Sequence, residues 1–211
     1  MSWEIRMWRA GAVYHITNRT IRGELRLTPG PVVNMLAEGC LARAARKYGV
    51  RIIVFIIMGN HFHLIVEPTR PNLDKFMGYF QRELSHRLNK SRGEEGKNFE
   101  YRYRCEEIGS AEDFEEEVAR ILCNPVRARL VGEADQWPGA SSLQMHRDGD
   151  TRRTVPHASR KHAEAMEEAG LTPAIERSLE PLVLELSPPP FWPELDADQA
   201  QARIVELVDA E

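Results

Sequence analysis

Apolar and polar residues alternate through Val13, Tyr14, His15, Ile16 and Thr17, and β-favouring types fill the run, so a first strand is predicted there. After Thr28-Pro29-Gly30-Pro31 the period changes. Val33, Leu36, Ala37, Leu41, Ala44 and Ala45 recur at helical spacing between Val32 and Tyr48, and Gly49 supplies the stop. Arg51 to Met58 is a dense run of isoleucine, valine and phenylalanine, a strand buried on at least one face. Gly59-Asn60 makes a tight turn into the alternating strand His61 to Glu67, so the two form a hairpin. Leu73, Phe76, Met77, Phe80, Leu84 and Leu88 mark a second amphipathic helix ending near Asn89, and Ser91 to Asn98 reads as a mobile polar loop. Glu100 to Ile108 is the fourth predicted strand. Ser110, with Asp113 three residues on, starts a helix through Phe114, Val118, Ile121 and Leu122 that Pro125 bends or ends. The order β-α-β-β-α-β followed by a helix predicts an α+β fold, a ferredoxin-like antiparallel sheet with an added C-terminal helix.

That pattern occupies residues 1–148. From about Gly149 the character changes to Arg152-Arg153, a helix-like stretch from His157 to Ala169, the prolines after Ser187, and a helical end from Asp198 to Val208. Residues 149–211 are therefore expected to be an acidic, partly helical extension.

Composition adds little until the charge is divided. The chain of 211 residues is 42% hydrophobic and 28% charged, ordinary for a soluble globular protein, and its net charge of −4 argues against a strongly basic nucleic-acid binder. Residues 1–150 nevertheless carry 22 Lys and Arg against 20 Asp and Glu, while residues 151–211 carry 6 against 12. A local basic surface in the first part is thus compatible with an acidic tail. Cys40, Cys105 and Cys123 are odd in number and form no Cys-x-x-Cys pair, so they read as reduced thiols of a cytoplasmic protein. The longest apolar run, Ile52 to Met58, is too short to span a bilayer, and Arg6 and Arg9 interrupt the N-terminus, so neither a membrane association nor a secretory leader is expected.

Three stretches can carry chemistry. His61-Phe62-His63 lies on the second hairpin strand, where alternation sends both imidazoles to one face and Phe62, Leu64 and Val66 to the other. Such a pair can ligate one cation, and two half-exposed histidines without a ligand fit the same spacing. Asn124, before Pro125, can close a helix or offer a hard oxygen beside two imidazoles, a mix that suits Mg²⁺ or Mn²⁺ better than structural zinc. Phe99-Glu100-Tyr101-Arg102-Tyr103-Arg104, read as a strand, places its aromatics on one face and Arg102 and Arg104 on the other. That arrangement suits bases and phosphates of unpaired nucleic acid, and equally an edge strand with one core face.

In combination the motifs are more specific. Tyr14-His15-Ile16-Thr17-Asn18-Arg19, Met58 to Leu64, Tyr101-Arg102-Tyr103, Asn124 to Val131, and Trp137-Pro138 before Ser141-Ser142 occur in one order over residues 12–142. In that order the set resembles the REP-associated tyrosine transposases and related single-strand insertion-sequence transposases, the single-tyrosine HUH group. The resemblance implies a divalent cation, Mg²⁺ or Mn²⁺, on His61, His63 and Asn124, and single-stranded or hairpin DNA as partner, with the protein a monomer or homodimer. It implies a tyrosine nucleophile one helical turn before Asn124, on the same helix face. This sequence has Arg120 there, and no tyrosine follows Tyr103. An arginine is a permanent cation that forms no phosphotyrosine link, although it can contact phosphate. The residues expected at DNA are Arg19, Arg82, Arg87, Lys90, Tyr101, Arg102, Tyr103, Arg104, Arg120 and Arg127. The sequence thus predicts a DNA-binding member without phosphotyrosine catalysis. The alternatives are an active nickase using Tyr79, Tyr101, Tyr103 or a metal-activated water, and a protein that keeps only the fold.

Overall fold

The computed structural model describes residues 7–100, 102–158 and 179–211. Strand β1 (Val13–Arg19) leads to α1 (Pro31–Tyr48), β2 (Val50–Ile57), β3 (His61–Pro68), α2 (Leu73–Arg92), β4 (Arg104–Ile108) and α3 (Ala111–Leu122). The four strands form one antiparallel sheet in the order β2-β3-β1-β4, the ferredoxin-like arrangement expected from the pattern. Helix α1 ends where Gly49 turns left-handed, at φ 64°, and its amide donates to the Ala45 carbonyl. A Cβ at Gly49 would also lie 2.7 Å from Thr69 Oγ1, so glycine is needed there on both counts. Helix α3 starts as expected, with the Ser110 hydroxyl accepting from the Asp113 amide.

The expected fourth strand needs correction. The fourth strand begins at Arg104 rather than at Glu100. Two fixed points explain this: Thr17 pairs with Arg104, and Thr20 bridges to Phe99. Three steps along β1 therefore face five along the returning chain, and the excess bulges out of the ladder. Phe99 is held at its end by burial against Phe62, with ring centroids 5.6 Å apart. Phe99 and Tyr103 therefore precede the strand, although both pack on the α1–α2 core; Tyr101 lies outside the described residues.

Each face of the sheet has its own core. Tyr14, Ile16, Phe62, Leu64 and Val66 pack with α1 and α2 on one side. On the other, Val13, Ile53, Val54, Ile56, Ile65 and Ile108 pack with Phe114, Val118, Ile121 and Leu122 of α3. Beyond α3 the chain makes the short helices α4 (Asn124–Arg127) and α5 (Leu143–Arg147), then β5 (Arg152–Ala158), β6 (Leu179–Glu185) and α6 (Ala197–Asp209). The predicted helix from His157 is corrected at its start, since His157 and Ala158 end β5; residues 159–169 lie outside the described set. The β5–β6 hairpin adds Val155, Leu182 and Leu184 to the α1 side. Helix α6, close to its predicted bounds, lays Ala200, Ile204 and Val208 into the α3 side, where Trp192 meets Phe114 at 5.2 Å. The edge strand β2 is covered as well: Ile57 donates to Ala140, Ser142 to Phe55, and Ser187 to Ile52. Among the described residues no helix is long and apolar enough to cross a membrane.

Candidate nucleic-acid and metal site

Register decides what surrounds the histidine pair. Arg19 faces His61 across β1 and β3, Thr17 faces His63, and on the other side Thr17 faces Arg104 and His15 faces Glu106. Side chains alternate, so His15, Thr17, Arg19, His61, His63, Arg104 and Glu106 share the α3 face of the sheet. Helix α3 covers the apolar end of that face and leaves the polar end open. On the helix, Glu117 and Arg120 fall one turn apart, with Asn124 a turn beyond, while Phe114, Val118 and Ile121 point into the core.

The result is a cavity of about 620 Å³ lined by His15, His61, His63, Arg19, Arg102, Arg104, Arg120, Glu100 and Glu106, among others. The His61 and His63 rings meet edge to face, 5.0 Å apart. His61 Nδ1 lies 2.7 Å from Asn60 Oδ1, and the Asn60 amide donates in turn to the Gly23 carbonyl. That oxygen can only accept, so Nδ1 carries the proton and Nε2 keeps its lone pair. His63 Nε2 lies 3.4 Å from the Asn124 amide group. Two cis ligands of an octahedral cation at about 2.1 Å each stand about 3 Å apart, so this pair fits a shared ion once the amide turns its oxygen inward. Among the described residues no three His, Cys, Asp or Glu side chains gather as a metal cluster; the donor set here is two imidazoles and an amide.

Electrostatics keep these rings neutral, the form that binds cations. Burial pushes the His63 pKa down to about 2, helped by the neighbouring His15, His61 and Arg120. His61 is lowered by burial and then by Arg19, against a hydrogen bond with Asn124. His15 is lowered by burial, with Glu117 opposing.

Of the residues expected at DNA, Arg19, Arg102, Arg104 and Arg120 meet in this cavity. Arg120 pairs with Glu117 at 2.5 Å. Tyr103 lies next door, stacked on Trp8 at 6.4 Å, in a second pocket that shares Arg102. The α2 residues sit in the other layer. Arg82 is exposed and lines a groove with Phe99 and Glu100, Lys90 is exposed near the helix end, and Arg87 is 12% exposed beside Glu83. Arg127, on α4, pairs with Glu211. Sequence reasoning missed His15 and Glu117. His15 Nε2 is 2.9 Å from His63 Nδ1, and His15 Nδ1 is 3.4 Å from Glu117 Oε2. The signal available was the odd-number alternation His15, Thr17, Arg19, matched to Glu117 one turn before Arg120.

Several known proteins resemble this chain. A structure of a REP-associated tyrosine transposase bound to a REP hairpin superposes with a TM-score of 0.58 at 20% identity, covering 70% of this chain and 86% of that one. A transposase candidate from Deinococcus radiodurans gives 0.40 at 14% identity, covering 58% and 97%. A tRNA(His) guanylyltransferase from Saccharomyces cerevisiae gives 0.42 at 9% identity, covering 95% and 79%. No curated relative matches the chain. The family model for IS200-like transposases matches residues 11–118, just over half of the sequence, and the chain belongs to that family.

Proposed function

We propose that this protein binds single-stranded or hairpin DNA at the histidine cavity, holds a divalent cation on His61, His63 and Asn124, and forms no phosphotyrosine link. The observation that carries the reading is Arg120: it occupies the helix position one turn before Asn124, lines the cavity of the two histidines, and is ion-paired to Glu117. The hairpin-bound transposase of similar fold supports DNA as the partner. In this reading Arg19, Arg102 and Arg104 neutralise phosphates at the cavity, and Tyr103 with Tyr101 offers rings to bases. Arg82, Arg87, Lys90 and Arg127 serve the flanking strand, since they stand away from the cavity. Mg²⁺ or Mn²⁺ would supply charge to polarise a phosphate; the chain's own residues bind and orient it. Residues 1–148 are the DNA-binding unit, with the described elements of 149–211 packed on both layers, and the protein acts in the cytoplasm as a monomer or homodimer.

A second reading, a nickase, draws on the donor set being present. Displaced tyrosines support it poorly. Tyr79 is 8% exposed in the α1–α2 core with its hydroxyl accepting from Arg43, and among the described residues no tyrosine lines the histidine cavity. Metal-activated water is the remaining route. The test is incubation of labelled single-stranded hairpin DNA with the protein and Mn²⁺. Salt-sensitive binding without a denaturation-resistant adduct is expected. An adduct mapping to any tyrosine overturns the proposal, and cleavage without an adduct moves it to the hydrolytic reading.

A further inference from the structure

We propose that His15 and Glu117 are positioning residues that lock His63 in its Nδ1–H tautomer, so that the Nε2 lone pair faces Asn124 and the cavity. The proposal rests on the reading that His63 is a cation ligand.

His15 Nε2 and His63 Nδ1 lie 2.9 Å apart, too close for a bridging water, and both residues are buried, so one nitrogen must donate and the other accept. Two arrangements of neutral rings satisfy this. In the first, His63 Nδ1–H donates to His15 Nε2, and the His15 proton sits on Nδ1, 3.4 Å from Glu117 Oε2. In the second, His15 Nε2–H donates to His63 Nδ1. The His15 Nδ1 lone pair then confronts the carboxylate, and the His63 proton occupies Nε2, closing it to any cation. A carboxylate only accepts, so Glu117 selects the first arrangement.

The placement of the carboxylate is itself secured. Arg120 Nη2 reaches the same Oε2 at 2.5 Å from the next turn of α3, and the Arg120 side chain lines the cavity. The residue standing where the family's nucleophile is expected thus holds the far end of a chain, Arg120 to Glu117 to His15 to His63, that ends on a ligand nitrogen. His61 has a separate orienting partner in Asn60, so the two ligands are set independently.

Long-range ¹H–¹⁵N correlation of the imidazole nitrogens in the metal-free full-length protein, near pH 7.5, reads the tautomers directly. Both His15 and His63 are expected as Nδ1–H in the wild type. Glu117→Gln, whose amide can also donate, should mix the two forms and lower Mn²⁺ affinity about 10- to 100-fold by calorimetry. Arg120→Gln should do so more weakly. A wild-type His63 protonated on Nε2 overturns the proposal, as does a folded Glu117→Gln protein with unchanged tautomers. If the tautomers are as stated and Mn²⁺ does not bind, the cation reading fails while the positioning chain stands.

Discussion

On β3, Phe62 and Leu64 are wholly buried beneath α1 and α2, whereas His61 and His63 beside them face a cavity with four arginines in its lining. The same alternation runs along β1, where Tyr14 and Ile16 enter the core and His15, Thr17 and Arg19 turn to the site. One strand pair thus serves two solvents. The α1–α2 face is closed chiefly by apolar packing. The α3 face is closed only over its apolar half. Its open half keeps buried polar groups that stability alone would not favour, each satisfied by a specific neighbour. Polar residues on a strand that is otherwise core are therefore the informative ones.

The strongest way to break this comparison is a pair of truncations on adjacent residues. Phe62→Ala should cost about 3–5 kcal/mol, because the ring is fully buried between Phe80 and Phe99. His61→Ala, at the partly open edge, should cost about 1 kcal/mol or less. Urea denaturation measures both, and equal losses would mean that the two faces are not divided as described.

How much was legible follows from how local each feature is. The hairpin was readable because Gly59-Asn60 and the alternation of Phe62 with His63 act within a few residues. The start of β4 was not, since the bulge before Arg104 depends on where Thr20 catches Phe99. The β5–β6 hairpin was hidden by its own residues: Pro156 sits directly across from Pro181, and proline argues against a strand except at an edge, which both strands of a two-stranded sheet are. His61, His63 and Arg120 were found from motif and spacing. His15 and Glu117 were not, because their value lies in a contact between residues 102 positions apart.

A histidine in the closed half sharpens the contrast. His146 of α5 is 3% exposed, and burial pushes its pKa down to about 4, against a weaker effect from the Ile53 backbone. As pH falls below the unfolded value of about 6.5, the unfolded chain takes up a proton that the folded one refuses. Stability is therefore fully present above that pH and lost down to about pH 4, by about 3 kcal/mol. His146→Leu should flatten this part of the stability–pH curve; an unchanged slope would show that the imidazole titrates freely.

On the open half, the effect should appear as salt dependence. Replacing Arg102 and Arg104 with alanine should weaken hairpin binding and flatten the log–log salt slope by about 1.4, at about 0.7 per phosphate lost on a single strand. Arg82→Ala on the α2 layer should change the slope by less. Equal slopes for the cavity and α2 variants would place the DNA across both layers.

The smallest expected effect is at Arg120. Its guanidinium lies on Glu117 at 2.5 Å, so at phosphate range the pair presents little net charge. Arg120→Ala removes a cation and also frees a carboxylate near the cavity, a change on the scale of one partly exposed ion pair, about 1 kcal/mol or roughly fivefold in affinity. The salt slope should move by clearly less than the 0.7 of a lost phosphate contact. In metal-free buffer Glu117→Gln should act in the opposite direction and tighten DNA binding, because it removes the negative charge and leaves the guanidinium uncompensated. Filter binding across a salt series separates these outcomes. A loss in Arg120→Ala as large as that of the Arg102 and Arg104 double variant, with a matching slope change, would show that Arg120 leaves Glu117 to hold a phosphate itself.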